Sequence, residues 1–106
     1  MRRLARKDKN HSAIVEALRY AGCSVLDLSQ LGRGVPDILV GRNGSDQLVE
    51  IKSLDDRMKM SSGAERSLAR QIAWSNMWRG KPVRIVSTAS EALNAVGVLT
   101  AGIRGH

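Results

Sequence analysis

The stretch "VPDILVGRNGSDQLVEIKS", residues 35–53, decides how the chain is read. Two apolar runs, "DILVG" at 37–41 and "QLVEIKS" at 47–53, flank the polar turn "RNGSD" at 42–46. The Asn43-Gly44 pair in that turn is a strong hairpin signal, because a two-residue turn of this kind needs a positive φ at both positions. Three charged residues, Asp37, Glu50 and Lys52, interrupt the strands where partial burial is expected. Side chains alternate along a strand, so Leu48, Glu50 and Lys52 share one face while Val49 and Ile51 share the other. A turn centred on 43–44 sets position 37 opposite position 50 and brings the Cβ atoms of the two carboxylates to roughly 5 Å.

Like charges facing each other destabilise a sheet, and more so when desolvated. A divalent cation removes the conflict: two carboxylates with backbone or water oxygens are a natural shell for Mg²⁺. A metal so held can polarise a phosphodiester and help ionise an attacking water. Lys52 beside it could orient that water and steady the developing charge. The same residues also allow a plainer reading, in which Lys52 neutralises Glu50 on a solvated sheet face and Asp37 is a turn residue after Pro36. Both stay open on spacing alone.

Working outward, residues 1–9 form a basic arm with five Lys or Arg. Asn10 or Ser12 can cap a helix running to about Ala21, stopped by Gly22. Ala13, Ile14, Ala17, Leu18 and Ala21 make its apolar stripe, and Glu16 lies away from it. "SVLDLS" at 24–29 alternates like a strand with Val25 and Leu28 inward, and "QLGRGVP" follows as a glycine loop. After the hairpin come a polar loop at 54–63, a helix at about 64–79, a strand at 83–87, and a short helix at 90–97 capped by Ser90. The order α-β-β-β-α-β-α predicts an α/β domain whose mixed sheet of about four strands is flanked by helices. An antiparallel meander comes first, and the fourth strand is added in parallel by a helical crossover.

At 106 residues one domain, 10–106 behind the arm, is the expectation. Only 3% of residues are aromatic and Phe is absent, so the core rests on Val, Ile, Leu, Ala and Met, and a partner subunit is expected. Seventeen Lys and Arg against ten Asp and Glu give a net charge of +7 and a pI near 10.5. Such a balance favours a polyanion, nucleic acid before an anionic membrane surface. The single cysteine, Cys23, excludes an internal disulfide framework and a Cys-based zinc cluster, and is expected to pack as a small hydrophobe. No apolar run approaches a membrane span and no signal-peptide core follows the basic arm, so a cytoplasmic location is expected.

Pro36-Asp37 followed by Glu50-Ile51-Lys52 resembles the PD-(D/E)XK nuclease signature. The surroundings are similar to the virus-type replication-repair (VRR-Nuc) branch of that superfamily, especially its small stand-alone phage members. The similarity runs from about Asn10 to Leu93, through "IVEALRYAGCSV", "GRGVPDILVG", "LVEIK", Leu68, Gln71, Trp74, "WRG" at 78–80 and "RIVSTASEAL". It implies a restriction-endonuclease-like core, a Mg²⁺ or Mn²⁺ ion on Asp37, Glu50 and the Ile51 carbonyl, Lys52 as the catalytic lysine, and Gln71 bordering the site. Trp74 and Trp78 lie on the same side of that helix, where ordinary helix packing accounts for them. Many relatives carry an acidic residue on the first helix; that place falls at Ala13, Glu16 lies one turn further on and on the wrong side of the apolar stripe, and His11 and Asn10 are near enough in sequence to substitute.

The expected activity is therefore metal-dependent, structure-selective endonuclease cleavage of branched or duplex DNA, resembling a Holliday-junction resolvase working as a homodimer. Arg33, Arg57, Lys59 and Arg66 are the expected phosphate contacts, and no small-molecule cofactor or membrane is called for. The alternative is a non-catalytic basic nucleic-acid-binding module, which explains the charge but not the three residues on one template.

Overall fold

The computed structural model describes residues 10–55 and 65–98, and the side chains of the second helix from residue 69 onward. The basic arm at 1–9, Arg57 and Lys59 lie outside the described residues, as do the side chains of Arg66 and Leu68. The elements follow the expected order: α1 (His11–Tyr20), β1 (Ser24–Asp27), β2 (Ile38–Arg42), β3 (Ser45–Ile51), α2 (Glu65–Met77), β4 (Arg84–Val86) and α3 (Ala89–Ala95). The sheet order is β1-β2-β3-β4, with two antiparallel pairings followed by a parallel one. This is the mixed four-stranded sheet that the sequence predicts.

The hairpin owes its register to Asn43 and Gly44, both at positive φ (50° and 77°) between the paired residues Arg42 and Ser45. That twist matches the flanking strands and fixes Val40 opposite Gln47 and Ile38 opposite Val49. A slip of one residue would turn every side chain of β3 to the wrong face. As built, Ile38, Val40, Val49, Ile51 and Val86 meet Ile14, Leu18, Cys23 and Ala92 in one buried cluster, so α1 and α3 cover this face. On the other face Glu50 and Ile85 line a cleft with Gln71 and Ser75 of α2. Residues 47–51 are buried throughout, Gln47 and Glu50 among them, as befits a strand paired on both edges.

Helix ends depart from expectation. Asn10 occupies the position before α1, but its side chain makes no cap; its Nδ2 donates to the carbonyls of Ser87 (2.5 Å) and Lys52 (3.5 Å). This ties the start of α1 to the ends of β3 and β4. The buried residues of α1 are His11, Ile14 and Leu18, whereas Ala13 and Ala21 are exposed. The stripe therefore includes a histidine where alanines were expected. At its far end the Gly22 amide bonds Arg19 and the Cys23 amide bonds Leu18, with Gly22 at φ 94°, a glycine-terminated stop.

The cap of α3 is Thr88, not Ser90: its Oγ1 accepts from the Glu91 amide at 3.1 Å, while Glu91 Oε1 accepts from the Ser87 amide at 2.6 Å. Glu91 thus stands at the third helical position with capping-box spacing, its carboxylate reaching back to the residue before the cap. Thr88→Ala is expected to lower unfolding free energy by about 1 kcal/mol, and Ser90→Ala to change it by less than about 0.5 kcal/mol. Urea denaturation of the two variants measures the difference.

Candidate active site at the end of the central hairpin

The candidate site residues lie where β2 begins and β3 ends. Asp37 immediately precedes β2; its carbonyl accepts from the Leu28 amide (2.7 Å) and its Oδ2 accepts from the Ile51 amide (2.7 Å). The Asp37 side chain thus closes the hairpin one step beyond the last strand pair, Ile38 with Val49. The Lys52 amide donates to Val86 on the β4 side. Backbone groups alternate sides along a strand, so the Ile51 carbonyl, like its amide, is directed toward Asp37.

Glu50 lies opposite Ile85 in the parallel pair and is only 8% exposed. Its Oε2 sits 3.5 Å from Lys52 Nζ. The pair is largely withdrawn from water, so it is not the ion pair on a solvated sheet face that spacing alone allowed. Withdrawing charges from water carries a desolvation cost that mutual attraction repays only where the geometry is good. Asp37 experiences the same cost: burial pushes its carboxyl above the ordinary value of 3.8, against the opposing pull of the Ile51 amide, His11 and Lys52. Asp27 adds a further push upward.

Gln71 on α2 and Glu50 border one small cleft of about 60 Å³, together with Gly34, Pro36, Ser75, Val83 and Ile85. Gly34 (φ 85°) permits α2 to come this close: a Cβ there would lie 2.8 Å from the Arg70 carbonyl carbon. Arg33, between Gly32 and Gly34, adopts φ 58° and projects from an exposed loop. A non-glycine residue held in that region signals local strain of about 1 kcal/mol or more. Trp74 and Trp78 stack on each other, with ring centroids 5.0 Å apart and planes inclined by 15°. Trp78 is 44% exposed, so the ring pair is only partly packed.

Among the described residues no three His, Cys, Asp or Glu side chains converge on one point. Two carboxylates and a backbone carbonyl, completed by water, suit a hard oxygen-seeking ion such as Mg²⁺ rather than a closed zinc cage. A cation between Asp37 and Glu50 would also offset the cost of burying both. The donor set therefore fits the implied metal.

The end of the sheet also holds two residues that spacing did not single out together. Asp27, the last residue of β1, lies opposite Ile38, and its Oδ2 is 3.5 Å from His11 Nε2. Asp27 shares a strand face with Val25 and remains exposed at the end of β1. His11 falls in step with Ile14 and Leu18 at helical spacing.

Because burial raises the Asp37 carboxyl, protonation favours the folded, metal-free chain. That stabilisation is complete below the ordinary carboxylate range and is lost as pH rises through the raised value. In EDTA, Asp37→Asn should therefore hold its thermal midpoint between acid and neutral pH better than the wild type. Mg²⁺ should raise the wild-type midpoint at neutral pH and leave the variant's unchanged. Gly34→Ala should cost more than about 1 kcal/mol, combining a positive φ with a clash against α2. Comparison of the chain with protein-family models, with curated proteins and with solved structures gives no match in any of the three.

Proposed function

We propose that this chain is a Mg²⁺- or Mn²⁺-dependent endonuclease that hydrolyses phosphodiester bonds in branched or duplex DNA. The observation that carries the proposal is the convergence of Asp37, Glu50 and Lys52 at one end of the sheet, with the Ile51 amide fixing Asp37. Similarity to the VRR-Nuc pattern supports it, as does a net charge of +7. Asp37, Glu50 and the Ile51 carbonyl would hold the cation. When bound, the cation would offset the two carboxylate charges and supply Lewis-acid polarisation of a phosphodiester.

The chain's own groups supply the rest. Lys52 Nζ, tethered 3.5 Å from Glu50, is placed to hydrogen-bond the attacking water and to steady negative charge building on the phosphate. Gln71, across the cleft from Glu50, is positioned to donate its amide to a phosphate or sugar oxygen. Val83, Ile85 and Pro36 line the same cleft and limit water there, which strengthens each of these contacts. Arg33, held outward on its strained loop, and the exposed Arg70, Arg79 and Arg84 supply phosphate contacts that confer affinity without sequence. Arg57, Lys59 and Arg66 are proposed for the same role.

We take the working species to be a homodimer acting on two strands. Ile72, Met77 and Trp78, along or just beyond α2, are 50%, 60% and 44% exposed, an apolar surface that a second copy could cover. Among the described residues no helix is long and apolar enough to cross a membrane. The cytoplasm, where DNA is accessible, is the proposed place of action.

Labelled four-way junction, flap and linear duplex DNA, incubated with Mg²⁺ or Mn²⁺, test the proposal directly. Cleavage of a branched substrate that EDTA abolishes is expected, with Lys52→Ala slower by at least about 10²-fold and DNA binding retained. Undiminished cutting by Lys52→Ala would refute the assigned site. No cutting of any substrate, with tight and salt-sensitive binding, would replace the enzyme by a non-catalytic binding module.

A further inference from the structure

His11 opens α1 on its inward side and is 4% exposed. An imidazole so deeply placed normally engages both nitrogens. Yet Nε2 has no hydrogen-bond partner among the described residues. Asp27 Oδ2 faces it at 3.5 Å. The Asp27 carboxylate is fixed from its other oxygen, where Oδ1 accepts from the Ser29 amide (2.8 Å) and hydroxyl (2.6 Å). The gap to His11 is thus held by the β1 turn.

A nitrogen and an oxygen bound to one metal ion at about 2.0–2.2 Å lie about 3.0–3.4 Å apart, for angles from octahedral to tetrahedral. The observed separation is close to that bite and long for a hydrogen bond. Both residues border an open cavity of about 210 Å³, shared with Ser12, Val15, Glu16 and Arg19. Arg19 is engaged with the Val25 carbonyl at 3.2 Å.

We propose that His11 Nε2 and Asp27 Oδ2 form a second divalent-cation site, on the α1 face of the sheet end, that takes a nitrogen-accepting transition ion such as Mn²⁺ or Co²⁺ in preference to Mg²⁺. Imidazole suits first-row transition ions, whereas Mg²⁺ demands oxygen ligands and keeps its waters. No third His, Cys, Asp or Glu converges there among the described residues, so water or a phosphate oxygen fills the remaining positions. The site lies near Asp37, whose carboxyl feels both His11 and Asp27. This deepens the nuclease reading and rests on it only for the consequence that Mn²⁺ outperforms Mg²⁺ in cleavage.

Calorimetric titration of the EDTA-treated full chain with Mn²⁺ and with Mg²⁺ tests the site without reference to cleavage. Wild type should bind two Mn²⁺ per chain, one at each site. His11→Gln and Asp27→Asn should each weaken one Mn²⁺ site at least tenfold and leave Mg²⁺ binding unchanged, while Glu50→Gln should weaken the other. Should a variant fail to fold, wild-type NMR serves instead: substoichiometric Mn²⁺ should broaden the His11 ring signals along with those of Asp37 and Ile51. One Mn²⁺ per wild-type chain, two in both variants, or unbroadened His11 signals would overturn the proposal. A chain that binds two Mn²⁺ and cuts no DNA overturns only the nuclease reading.

Discussion

The turn at Asn43 and Gly44 sets what meets at the opposite end of the hairpin. Because both residues take positive φ, Arg42 pairs with Ser45 and the register runs unbroken to Ile38 and Val49. One step further places Asp37 beside the Glu50–Ile51 segment, where the Ile51 amide takes its Oδ2. The same register gives Ile38, Val40, Val49 and Ile51 to the core and turns Glu50 away from it. Core and candidate site are thus two products of one pairing, and neither survives a shift of the other.

Placing charge at this end has a cost that the fold does not recover by itself. Asp37 is held above its ordinary range by burial, and Glu50 is nearly enclosed, with Lys52 Nζ 3.5 Å from its Oε2. Nearby, Asn10 Oδ1, His11 Nε2 and Ser87 Oγ are buried without hydrogen-bond partners among the described residues. Each such atom left unsatisfied costs about 1–3 kcal/mol, a cost that ordered water or a bound ligand would remove. Asn10 makes the arrangement mechanical: by bonding the ends of β3 and β4 it carries His11 to the same corner.

The hairpin was legible in the sequence because its determinants are local: a turn dipeptide, an alternating face and a charged triad at fixed spacing. The parallel addition of β4 followed from the crossover helix. What was not legible depended on distant partners. His11 reads as a surface residue until α1 docks on β1, and Asp27 reads as a polar break until its pairing with Ile38 is known. Asn10 has the chemistry of a helix cap, but carbonyls at Lys52 and Ser87 compete successfully for it. Thr88 was readable, since Thr88-x-x-Glu91 is a capping-box spacing, and Ser90 merely lay closer to the apolar run. Gln71 lines one cleft with Glu50, and the close approach at Gly34, which sequence spacing does not reveal, explains how α2 comes near.

A crystal soaked in Mn²⁺ and measured at the manganese absorption edge tests the central claim most directly. An anomalous peak between Asp37 and Glu50, within bonding distance of the Ile51 carbonyl, is the expected result. Manganese bound elsewhere on the chain, with none between those carboxylates at saturating concentration, would contradict the account and reduce the cluster to a buried ion pair.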